Sequence, residues 1–168
     1  MEKIQKALER ARQQRLSMLE TDVGGKGHPP ASRSNRSGRP VVYQQTRVVA
    51  PPSEIFLDGR IVAGLSQHEL ADTFRSLRAQ VLQRLTLGGY STLAITSANR
   101  GDGKSLTSAN LAISLAMHVD RTVLLVDLDL RRPSLHKYFG IEPEAGLTDY
   151  LLNDTPLSSC LINPGIER

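Results

Sequence analysis

The chain has no tryptophan, one cysteine and only 4% aromatic residues. A single thiol, Cys160, excludes an intrachain disulfide and any site built from several cysteines. It sits in the stretch Ser158-Ser159-Cys160-Leu161-Ile162 and reads as a packing residue rather than a nucleophile. No run approaches the roughly 18 apolar residues of a membrane span, and no secretory apolar region follows Met1. The lack of aromatics also argues against a nucleic-acid binder. Tyr43 is the only Phe, Tyr or Trp in the basic leader, so no stacking platform accompanies the charge. No internal repeat is visible, and 168 residues bound about one domain.

Charge is present but uneven. Residues 1–47 carry ten Lys/Arg against four Asp/Glu, whereas the remainder carries 11 against 13. The net +4 is therefore a property of the leader, which can face anionic lipid, an acidic partner or simply solvent. Residues 1–20 read as an N-terminal amphipathic helix, with Ile4, Ala7, Leu8 and Ala11 on a narrow stripe. Residues 21–53 are rich in Gly, Pro, Ser and Arg and read as a flexible linker, with Val41-Val42-Tyr43 and Val48-Val49 as short extended islands. The folded unit is expected over 54–168.

Ser66-Gln67-His68-Glu69 has the spacing of a capping box. Leu70, Phe74, Leu77, Val81 and Leu85 then recur at helical intervals up to Gly88-Gly89. Asp72, Arg75, Arg78 and Arg84 occupy the other face, which by itself reads as solvated. Next come an extended stretch near 92–97, a helix over Lys104–His118 and a second apolar stretch, Thr122 to Asp127. Strand, helix and strand in that order predict an α/β fold with a doubly wound, mostly parallel sheet. Short helices are expected near 135–139 and 147–152.

The turn between the first stretch and its helix is Ala98-Asn99-Arg100-Gly101-Asp102-Gly103-Lys104-Ser105. A glycine-bearing loop between a strand and a helix offers backbone N–H groups and a helix N-terminus to phosphate oxygens. Gly101 and Gly103 permit close approach, Lys104 supplies a cation for the β and γ phosphates, and Ser105 offers a hydroxyl to Mg²⁺. The expected nucleotide-binding residues are Asn99, Arg100, Gly101, Asp102, Gly103, Lys104, Ser105 and Leu106, with ATP or GTP as ligand. The alternative for this segment is a glycine turn with a solvated lysine.

Asp127-Leu128-Asp129 closes the second apolar stretch. Acids at a strand's C-terminal end beside a phosphate loop can orient hydrated Mg²⁺ and accept a proton from an attacking hydroxyl. The plainer alternative is a pair of acids satisfied by Arg131 or Arg132.

Residues 98–105, together with Val123-Leu124-Leu125-Val126-Asp127-Leu128-Asp129-Leu130-Arg131-Arg132-Pro133, resemble the bacterial tyrosine kinases of capsule and exopolysaccharide synthesis. These form a branch of the Min/Par-type P-loop ATPases. Phe74-Arg75-Ser76-Leu77-Arg78, with Asp72 where glutamate is usual, is similar to that family's self-assembly helix. The resemblance covers about residues 54–165 and implies an incomplete P-loop NTPase fold. It implies phosphoryl transfer from MgATP to tyrosine hydroxyls between copies of the protein. Lys104, Asp127 and Asp129 would be the catalytic residues, Ser105, Asp127 and Asp129 the metal site, and Asp72, Arg75 and Arg78 the oligomer contact. The implied partners are a membrane-embedded polysaccharide co-polymerase or activator and further copies of the chain, placing it in the cytoplasm at the inner membrane face.

The chain departs from the family pattern at three points. Asn99 stands where partitioning ATPases often carry a second lysine. No later strand supplies the usual second acid, and Tyr43, Tyr90, Tyr138 and Tyr150 are scattered rather than clustered. A C-terminally truncated kinase domain is therefore expected. The alternatives are a Min/Par-type ATPase switch and a non-catalytic nucleotide-binding regulatory module.

Overall fold

The computed structural model describes residues 9, 13, 46–50, 54, 58, 60–65, 68–118 and 121–166. Most of the expected N-terminal helix and most of the expected linker lie outside them. Glu9 and Gln13 are helical and exposed. The elements run β1 (Arg47–Val48), α1 (Glu69–Gly88), α2 (Lys104–Ala116), α3 (Leu135–Tyr138), α4 (Leu147–Leu152), α5 (Leu157–Cys160) and β2 (Ile162–Asn163).

Helix α1 starts two residues later than a box opened by Ser66 would require. Ser66 and Gln67 lie outside the described residues, and the N-cap is His68. Its backbone is extended, and its Nδ1 accepts the Leu70 N–H at 3.2 Å, the role a serine hydroxyl more often fills. The other end closes as the glycines predict. Gly89 turns left-handed at φ 65°, its N–H meets Thr86 O at 3.3 Å, and the Tyr90 N–H meets Leu85 O at 2.9 Å.

Small residues let α1 and α2 approach closely. Ala71 and Ala109 are fully buried. Ser114 Oγ donates to Phe74 O at 3.2 Å, and Arg78 Nη1 donates to Ser114 O at 2.8 Å. Arg78 therefore serves the packing of these two helices, which the alternation of charge along α1 does not reveal. Leu70, on the expected apolar stripe, is exposed.

The core gathers Ile61, Ala63, Ala109, Ile113, Phe139 and Ile141, with Phe74, Leu125, Leu135 and Ile162 packed against it. Burying such side chains contributes roughly 1.5–3 kcal/mol each for the larger ones. Asn110 is, with Ser114, a buried polar residue of this interior. Its Oδ1 accepts the N–H groups of Val62 and Ala63 at 2.8 and 3.0 Å. Its Nδ2 donates to Arg60 O and Leu106 O at 3.1 and 3.0 Å. The amide thus ties the 60–63 segment to α2 with its donors and acceptors satisfied.

The expected doubly wound sheet is not what the described residues form. They form helices with a small parallel sheet of two strands, compatible with an incomplete α/β fold. Arg47 pairs with Ile162 and Val48 with Asn163, so one of the extended islands is an edge strand. Residues 91–97 and 121–129 carry no strand pairing. Over 123–128 exposure alternates: Val123, Leu125 and Asp127 are half-buried, and Leu124, Val126 and Leu128 are exposed. That is the period of a strand with one face covered. The continuous apolar run suggested both faces, but among the described residues nothing pairs with its backbone.

Candidate functional site

The loop before α2 is shaped by its own polar groups. Ser97 Oγ donates to Asn99 O at 2.9 Å, and the Asn99 N–H donates to Asp102 Oδ2 at 2.9 Å. Asp102 thereby braces the loop through one of its carboxylate oxygens. Gly101 and Gly103 adopt φ of 89° and 85°, conformations that disfavour any side chain, and an added Cβ at either would meet nothing within 4 Å. The space over the loop is open.

Gly103 is the N-cap of α2 and lends no side chain to its first N–H groups. Its carbonyl receives the first helical bond, from Thr107 N at 2.8 Å. Lys104 is the first helical residue and is half-buried. Among the described residues no ion pair or hydrogen bond engages its ammonium. Arg100 is exposed beside the loop, and Leu106 is half-buried in the first turn of α2. An unpaired cation at a helix N-terminus, beside an open glycine loop, is suited to a polyanion.

The acids are already engaged, though not by an arginine side chain. Asp127 Oδ1 accepts the Asp129 N–H at 3.0 Å. Its Oδ2 accepts the N–H groups of Ser134 and Leu135 at 2.8 and 3.0 Å, closing the start of α3. Asp129 Oδ1 accepts the Arg132 N–H at 3.1 Å. Arg131 and Arg132 are exposed, and no described residue forms an ion pair with either. The basic turn is thus folded by its backbone N–H groups onto the two carboxylates.

Ser105 joins the two motifs. Its Oγ lies 3.3 Å from Ser134 Oγ, in a half-buried contact. The start of α2 and the turn gripped by Asp127 are therefore neighbours. Ser134 escaped the sequence reading. Its position after Pro133 and before a helix was the available signal.

The residues expected to mediate self-assembly lie on α1. Arg75 pairs with Asp72 one turn earlier, through Nε at 2.9 Å and a second contact from Nη2. Both side chains are exposed, whereas Arg78 is turned onto α2. Cys160, on α5, directs its Sγ to Gly146 O at 3.3 Å and serves packing.

The oxygen donors fit a nucleotide-bound magnesium ion. Among the described residues no three His, Cys, Asp or Glu side chains gather as a metal-holding group. Magnesium on a nucleotide keeps several waters and takes few protein oxygens besides phosphate, so a hydroxyl with carboxylates nearby suffices. Asp127, with both oxygens bonded to N–H groups, suits a contact through water.

No protein-family model and no solved structure matches the chain. Curated relatives do. Tyrosine-protein kinase YwqD of Bacillus subtilis is 35% identical over 91 residues, covering 54% of this chain and 38% of that protein. Tyrosine-protein kinase ptk of Acinetobacter johnsonii is 36% identical over 90 residues, 54% of this chain and 12% of that one. The succinoglycan biosynthesis transport protein ExoP of Rhizobium meliloti is 36% identical over 95 residues, 56% and 12% of the two chains. Over rather more than half its length, the chain is homologous to proteins named as bacterial tyrosine-protein kinases. It spans well under half the length of these relatives.

Proposed function

We propose that the chain carries the nucleotide-binding part of a P-loop, ATP-dependent protein-tyrosine kinase acting in capsule or exopolysaccharide biosynthesis. The observation that carries this reading is the contact of Ser105 with Ser134, which joins the glycine loop to the turn held by Asp127. The names of the relatives support the kinase and polysaccharide assignments.

Bound MgATP supplies a γ-phosphoryl group whose transfer to a tyrosine oxygen is governed mostly by positioning and electrostatics. In this reading the N–H groups of the loop and of α2's first turn hold phosphate oxygens. Lys104 places its ammonium against their charge. Ser105 would offer its hydroxyl oxygen to the metal, with Asp127 and Asp129 holding it through water, and Asp127 would be the group to accept the tyrosine proton. An exposed Asp72–Arg75 pair on α1 is the surface through which further copies would present tyrosines, and a membrane-embedded polysaccharide co-polymerase would be the activating partner. The cytoplasmic face of the membrane is the corresponding location. Among the described residues no helix is long and apolar enough to cross a membrane.

One observation favours a second reading. The Asp127 carboxylate is held by three backbone N–H groups, an arrangement that suits a fixed structural acid as well as a base. A nucleotide-binding regulatory module would need no base. Incubation with radiolabelled ATP followed by phosphoamino-acid analysis separates these readings. The kinase predicts label on tyrosine, lost in Lys104→Met. Released phosphate without labelled protein marks an ATPase switch, and binding with neither product marks the regulatory module.

A further inference from the structure

Ser134 occupies the N-cap position of α3, where a serine hydroxyl ordinarily accepts a hydrogen bond from an N–H of its own helix. Here it does not, and no side-chain cap bond is made at Ser134. Asp127, seven residues upstream, fixes the turn by taking the Ser134 and Leu135 N–H groups. The serine hydroxyl, not engaged in capping, lies 3.3 Å from Ser105 Oγ. This contact is half-buried and bridges 29 residues of sequence.

A hydroxyl that meets a cation must aim a lone pair at it and its hydrogen elsewhere. An acceptor on the far side of the oxygen fixes that direction, as outer partners orient the groups that touch a metal. We propose that Ser134 is a positioning residue. Its Oγ accepts a hydrogen bond from the Ser105 hydroxyl, so that Ser105 Oγ presents a lone pair to the magnesium ion of a bound nucleotide. This rests on the nucleotide reading above and assigns the 133–135 turn a part in it. Asp127 then acts on the metal site twice: through water, and through the backbone clasp that sets Ser134 in place.

The test is fluorescence titration of the full chain with an N-methylanthraniloyl ATP analogue, in EDTA and across a Mg²⁺ series. Ser134→Ala is expected to raise the Mg²⁺ concentration at half-maximal enhancement about fivefold, the scale of one lost hydrogen bond. Affinity in EDTA should stay unchanged, and Ser134→Thr, which keeps the hydroxyl, should restore the Mg²⁺ midpoint. An unchanged midpoint in Ser134→Ala overturns the inference. So does an equal loss of affinity in EDTA and in Mg²⁺, which marks Ser134 as part of the fold alone. If the unaltered chain binds no analogue in either condition, the nucleotide reading itself fails and takes this inference with it.

Discussion

At the residue scale, two side chains carry more of the structure than their type suggests. Asn110 holds two backbone N–H groups and two carbonyls around α2. Asn110→Leu would strand the Val62 and Ala63 N–H groups in the interior, each at about 1–3 kcal/mol. Chemical denaturation should show a loss of about 3 kcal/mol with little change in slope. Asp127→Ala removes the acceptor of three N–H groups at once. These bonds are partly solvated, so a loss of about 2 kcal/mol is expected, with Asp127→Asn retaining part of it through its remaining carbonyl.

Both acids were visible in the sequence as a motif, and so was the option that they are satisfied locally. What composition could not give was the donor. Arginines 131 and 132 stand nearest in sequence, but backbone N–H groups two to eight residues on reach the carboxylates first. Asn110 gave no signal, because an asparagine in an apolar helix reads as a defect until the segment it grips is placed beside it.

At the scale of elements, helices were the most legible part. The periodicity from Leu70 to Leu85 and the Gly88-Gly89 stop place α1 correctly, and Lys104 opens α2 as the loop requires. The end of α1 offers a clean contrast. An added Cβ at Gly89 meets nothing within 4 Å, yet the residue sits at φ 65°. Gly89→Ala should therefore lower stability by about 1 kcal/mol through backbone conformation alone, measurable as a fall in Tm. At Gly88 a Cβ would collide with the Tyr90 ring, but that ring is exposed and can swing aside, so Gly88→Ala should cost less.

Strands were less legible, for a physical reason. A helix satisfies its backbone within itself, whereas a strand needs a neighbour. The 92–97 and 122–127 stretches have strand-like sequence, and 123–128 has strand-like alternation, but no described segment pairs with either. Arg47–Val48 and Ile162–Asn163, far apart in sequence and short, do pair. Leu124 and Leu128 are 70% and 74% exposed. Replacing either by lysine should change stability by no more than about 0.5 kcal/mol in the full chain, by thermal or urea unfolding. A loss of several kcal/mol would mean that these side chains are covered in solution.

For the molecule as a whole, the charge asymmetry separates the basic residues 1–47 from a near-balanced remainder. That remainder places the glycine loop, the start of α2 and the acid-bearing turn together through Ser105 and Ser134. That juxtaposition is the substance of the nucleotide reading. Its most direct test is isothermal titration calorimetry of the full chain with ATP in Mg²⁺, beside Lys104→Met. The account predicts saturable binding near one nucleotide per chain, weakened about tenfold or more by the substitution, the scale of a lost charge-assisted hydrogen bond. Absence of heat with the unaltered chain, or equal affinity in Lys104→Met, would contradict it.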